Sequence, residues 1–206
     1  MRILFICIVI GLAAAILWLS RENAPNEAAD AADTTLIERS EPDLRGEGVS
    51  FRQFRADGSL QYRLDAASIN QFSDQSLTRM IEPDLLLLST TQAPWRIRSA
   101  HGYLRQRPGP DGVNEDVVFL REDVVLTQDH TINGPITIRS DSFYIYPDRE
   151  YAETEQDVMI DTEVGRTKAV GMRADMKSGL LILSSSERQR VHTIVLPSQF
   201  KSRQPS

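Results

Sequence analysis

The chain has 206 residues, 41% of them hydrophobic and 25% charged, with a formal net charge of −6. That is room for one domain of ordinary size or two small ones, and it excludes collagen-like, wholly disordered and polytopic membrane classes. The single cysteine, Cys7, cannot form an internal disulfide, and the acidic balance argues against a general nucleic-acid binder, which needs cations for phosphates.

Residues 3–19 are seventeen uninterrupted apolar residues. At ~1.5 Å per residue they predict a helix of ~25 Å, slightly short of a ~30 Å hydrocarbon core. Met1 and Ser20 extend the span, and Trp18 suits the interfacial belt. Counting Lys and Arg gives a weak orientation signal. With almost no flank before the run, the expectation is N-terminus inside and the remainder outside. The rival is a cleaved signal peptide, with Ala13-Ala14-Ala15 as the cleavage site. The apolar run continues through Ile16-Leu17-Trp18-Leu19, and Cys7 lies too early to be lipidated after cleavage. The reading is therefore an uncleaved anchor over 1–21, with the rest of the chain leaving the cytoplasm.

Residues 22–41 hold six acids and one base, with no apolar face of useful width. They read as an acidic flexible linker that stands a domain off the membrane. From Pro42 onward there are 23 acids and 20 bases, so the domain is near-neutral at −3. We expect that domain over 42–200 and a short tail over 201–206.

The domain reads as strands. Leu60, Tyr62 and Leu64 alternate with Gln61, Arg63 and Asp65. Trp95 and Ile97 alternate with Arg96 and Arg98, Ile136 and Ile138 with Thr137 and Arg139, and Val158 and Ile160 bracket Met159. The short apolar runs 85–88 and 180–183 also read as strands. Turn signals fall at Asp57-Gly58, Pro83-Asp84, 108–112, Asn133-Gly134, Pro147-Asp148 and Ser178-Gly179. The one helical pattern, 66–72, is too short to carry a helical architecture. A loose repeat aligns Ala66, Ala100, Ser140 and Gly171 at spacings of 34, 40 and 31. It suggests stacked β-hairpins sharing one long core, with an unpaired sheet edge at each end.

No catalytic signature stands out. His101, His130 and His192 share no ligand spacing, no usable Cys accompanies them, and no metal or cofactor is expected. Glu122-Asp123 and Glu153-Glu155-Asp157 supply carboxylates for a glycosidase, but the second set alternates like a solvated strand face. Arg96, Arg98, Arg105 and Arg107 form a basic stripe, read as arginines that face water on edge strands or meet an anionic ligand locally, and not as a nucleic-acid site. What remains is a tethered β domain with an apolar interior, whose natural ligand is an acyl chain. Its open ends are natural docking points for another sheet.

The run Gly58-Ser59-Leu60-Gln61-Tyr62-Arg63-Leu64-Asp65-Ala66 is followed by Ser73-Asp74-Gln75, Pro83-Asp84-Leu85, Pro94-Trp95 and Ala100. Further on come Val170-Gly171-Met172-Arg173 and 180–183. In this order the segments resemble the lipopolysaccharide export protein LptC family. The resemblance implies an all-β, open V-shaped jelly roll after one transmembrane helix in the inner membrane, with the N-terminus cytoplasmic and the bulk of the chain periplasmic. It implies a non-enzymatic role: receiving lipopolysaccharide from the LptB2FG transporter at the N-terminal edge and passing it to LptA at the C-terminal edge. Val49, Leu64, Met80, Trp95, Ile97, Phe119 and Ile138 would line the lipid groove. Gly58 and Gly171 would serve at turn or docking positions. The loop 106–114 departs from the family as an insertion. The alternatives are a protein-bridging scaffold without lipid, and a carbohydrate-active β-solenoid using Glu153 and Asp157.

Overall fold

A computed structural model describes residues 41–73, 76–110, 112–129, 134–186 and 190–195. The chain divides into two units, Met1–Glu41 and Pro42–Ser206. The anchor, the tail and nearly all of the linker lie outside the described residues. Among the described residues no helix is long and apolar enough to cross a membrane.

The described part of the second unit is all-β. Its strands are β1 (Leu44–Phe54), β2 (Leu60–Phe72), β3 (Leu77–Ile81), β4 (Asp84–Leu87), β5 (Trp95–Arg98) and β6 (His101–Pro108). They continue as β7 (Asn114–Gln128), β8 (Ile136–Tyr146), β9 (Tyr151–Thr162), β10 (Gly165–Asp175), β11 (Leu180–Leu183) and β12 (His192–Val195). All twelve join one antiparallel sheet. β2 pairs with β3 along one half and with β4 along the other. β7 likewise pairs with β6 and with β5, and β10 with β11 and with β12. Thus β3 with β4, and β5 with β6, are each one strand broken in the middle. The topology is a meander of long strands, each bent at the same level.

That level is a crease. Glu82 sits at φ 49° just before Pro83, and Glu122 and Asp123 sit at φ 64° and 55° in a bulge of β7. Gly48 and Gly171 take φ of 59° and 84° in β1 and β10. Left-handed backbone of this kind inserts a bulge and turns the strand. Main-chain bonds still cross the crease: Glu82 N–H donates to the Ala100 carbonyl at 2.8 Å, and Ala100 N–H to that of Glu122 at 2.9 Å. Gly102 permits a close approach beside it, since a Cβ there would lie 2.9 Å from Pro83 and 3.1 Å from Leu120. The four positions aligned as a repeat, Ala66, Ala100, Ser140 and Gly171, all fall at or beside this line. The repeat is the recurrence of the bend.

Folding at the crease brings two half-sheets face to face as a jelly roll. One half contributes Leu64, Leu85, Trp95, Ile97, Leu126, Ile138 and Val158 to the interior. The other contributes Met80, Val118, Leu120, Phe143, Ile145 and Met172. Along its middle this interior is filled, with Leu85, Ile97, Leu120, Ile138 and Phe143 fully buried.

Two local expectations are corrected. Residues 66–72 are strand, because β1 and β3 pair with them on either side and override a weak local helical pattern. Pro83-Asp84 is not a hairpin turn but the crease between the collinear β3 and β4.

Candidate lipid groove

The filled core opens at the β1 end into a cavity of about 220 Å³. Val49 and Phe51 of β1, Leu64, Ala66, Ile69 and Gln71 of β2, Thr78 and Met80 of β3, and Leu104 of β6 line it. β1 makes it possible: bound only to β2, it extends one side of the fold beyond its covering layer. Phe51 and Phe54 are consequently about half exposed. The lining is almost wholly apolar, which suits hydrocarbon. A larger cleft of about 450 Å³ lies on the outer side of the crease, but Asp123, Arg139, Asp141, Asp157 and Lys168 line much of it. Of the two, the smaller is the apolar one.

Of the residues expected in a groove, Val49, Leu64 and Met80 meet in this cavity. Trp95, Ile97 and Ile138 lie in the packed interior beyond it. Phe119 lies elsewhere. Its neighbours Val118 and Leu120 face the core, so Phe119 points to the opposite side. There it stacks between Tyr103, at 6.2 Å, and Tyr144, at 4.7 Å, beside Val117 and Tyr146. Gly58 takes φ 83° in the β1–β2 turn with open space around it, so its role is the turn itself. Gly171 forms the bulge where β10 meets both β11 and β12, and Ser184 N–H donates to its carbonyl at 3.1 Å. Alternation did not single out Phe51, Ile69, Gln71, Thr78 or Leu104. The inward phase of β2 shifts between Ala66 and Ile69, and only the crease explains that shift.

Opposite the crease, side chains join the two half-sheets. The Tyr62 hydroxyl donates to Asp116 Oδ2 at 2.9 Å. Burial, then the Asp116 charge, pushes this phenol well above its usual range, so it stays a donor. Asp116 Oδ1 accepts from Gln106 at 3.2 Å.

The remaining chemistry is structural. Glu153 accepts from both Tyr146, at 3.0 Å, and Tyr151, at 3.1 Å, and lies 3.8 Å from Arg173. The reading of Glu153 as part of a solvated face is thus corrected: its side chain is mostly buried under these partners. The arginine stripe does not stand on edge strands, because β5 pairs with both β4 and β7 and β6 with both β3 and β7; Arg96 pairs with Asp84 across neighbouring strands. Arg139 and Arg166 hold the Asp161 carboxyl below its usual value, the Arg166 hydrogen bond contributing most. No group of metal-ligating side chains occurs among the described residues.

The fold defines a class first: a creased antiparallel meander closed into a jelly roll around an apolar interior. The crystal structure of LptH, the LptA homologous periplasmic component of the lipopolysaccharide transport device from Pseudomonas aeruginosa, shares it at a TM-score of 0.51. The likeness covers 66% of this chain and 95% of that one at 12% identity, and it speaks to fold alone. No curated protein matches this chain. The family model described as LptC: Lipopolysaccharide-assembly, LptC-related matches residues 6–191, and the chain belongs to that family.

Proposed function

We propose that this chain is a membrane-held relay for lipopolysaccharide, carrying the acyl chains between its two half-sheets. Membership of a lipopolysaccharide-assembly family supports the substrate, and the apolar cavity at the β1 end is the observation that carries the mode of binding. Burial of acyl chains at ~0.8 kcal/mol per CH₂ supplies affinity without charge, and the headgroup remains at the rim. The anchor over 1–21 holds the domain at the inner membrane, with the domain in the periplasm. β1 offers an unpaired edge to the LptB2FG transporter, and β11 with β12 offers another to LptA, each by strand addition. Leu180, Ile182, Ile194 and Val195 on these last strands are about half exposed, as a docking edge requires. The role needs no catalytic group, and Glu153 is committed to two tyrosines.

A charge in the cavity separates this reading from a lipid-free scaffold. Thr78→Glu in the full-length chain is expected to abolish lipopolysaccharide binding while LptA is still recovered in a pull-down. Unchanged lipid binding would favour the scaffold.

A further inference from the structure

A cavity of about 220 Å³ is smaller than the roughly 300–1,000 Å³ of ordinary ligand pockets, so the interior must widen to hold several chains. The place where it can part is the line opposite the crease. Among the described residues no main-chain hydrogen bond crosses that line. Side chains close it. Tyr62 donates to Asp116, Gln61 donates to Asp148 at 3.1 Å, Arg55 donates to Glu150 at 3.3 Å, and Thr91 donates to the Lys177 carbonyl at 2.8 Å.

The two lips differ in kind. Every donor in these four contacts stands on the β1–β5 side, and every acceptor on the β7–β11 side. Three of the acceptors are carboxylates. Glu150 is the least satisfied: it is nine-tenths buried, sits at φ 50°, and its Oε2 has no hydrogen-bond partner. Arg55 also donates to the carbonyls of Leu60, at 2.8 Å, and Leu88, so its guanidinium is fixed at the lip.

We propose that this seam is a lateral gate, and that Arg55 opens it by exchanging Glu150 for a phosphate monoester on the lipid headgroup. The proposal rests on the lipid-relay reading. A guanidinium binds phosphate with paired, charge-assisted hydrogen bonds, better than the single contact it now makes with Glu150. Once Arg55 takes the phosphate, Glu150 loses its ion pair, and its carboxylate repels the phosphate now held on the facing lip. The acyl chains enter sideways through the gap while the headgroup stays outside.

The test uses the full-length chain in detergent, with Cys7→Ser and thiols introduced by Ala56→Cys and Ser178→Cys, both exposed and next to the seam. Spin labels on these thiols report the gap. Lipopolysaccharide is expected to widen it; inorganic phosphate and dephosphorylated lipopolysaccharide are not. Arg55→Lys should raise the lipopolysaccharide concentration for half-maximal widening ~10-fold. Bridging the thiols with a reversible bifunctional reagent should stop lipopolysaccharide from labelling a diazirine residue at Leu104, and reductant should restore it. Labelling that persists in the bridged protein would overturn the gate and leave the groove standing. Widening by dephosphorylated lipid, or by inorganic phosphate alone, would overturn the role of the headgroup phosphate at Arg55. No labelling of Leu104 even in the unbridged protein would overturn the lipid-relay reading, and the gate with it.

Discussion

Among the described residues, tyrosine hydroxyls donate to carboxylates, Tyr62 to Asp116, and Tyr146 and Tyr151 together to Glu153. Burial is the largest cause holding each as the neutral phenol, and the carboxylate charge adds to it. Tyr151 is pushed up to about 12, and the other two higher. A phenol raised above its unfolded value of 10 stabilises the fold fully below pH 10. That contribution is lost as pH rises past 10 toward the folded value. Urea midpoints should therefore fall steeply above pH 10, and Tyr62→Phe should make the fall shallower. At neutral pH the same substitution should cost about 1–2 kcal/mol, because it removes a hydrogen bond to a charged acceptor. An unchanged midpoint at pH 7 would show that the Tyr62–Asp116 bond adds nothing. None of these pairs was legible in the sequence. Tyr62 and Asp116 are 54 positions apart, and only the closure of the half-sheets brings them together.

At the level of elements, most strands were legible and their bending was not. Period-2 alternation marked 60–65, 95–98 and 136–139 correctly as half-covered strands. Phe119 shows where that signal fails. It stands in the run Val117-Val118-Phe119-Leu120, in a strand covered on both faces, and an unbroken apolar run carries no phase. The crease left a trace, the repeat of Ala66, Ala100, Ser140 and Gly171, but small residues at irregular spacing resemble turns. Gly171 is the crease position nearest the terminal edge. At φ 84° any side chain is strained, and a Cβ there would lie 3.2 Å from the Thr154 carbonyl. Gly171→Arg should disturb the bulge on which β11 and β12 align and reduce LptA recovery in a pull-down several-fold. Recovery of the LptB2FG transporter should be largely unchanged. Unreduced LptA recovery would mean that the C-terminal edge is not the LptA contact.

For the molecule as a whole, the fold supplies an apolar interior, a partly open end and two unpaired edges. The family supplies the cargo. Composition had already separated the acidic linker from a near-neutral domain, and the domain's apolar alternation implied an interior suited to hydrocarbon. What the sequence could not carry was how tightly that interior packs, since packing is set by contacts between half-sheets and not by any one strand. The central claim is that lipid A chains lie inside, between the half-sheets, and not along the outer surface. The most direct measurement compares diazirine residues at inward Met80 and outward Arg63 in the full-length chain during lipopolysaccharide transfer. Strong labelling from Met80 with little from Arg63 is the expected result; equal labelling from both positions would contradict the account.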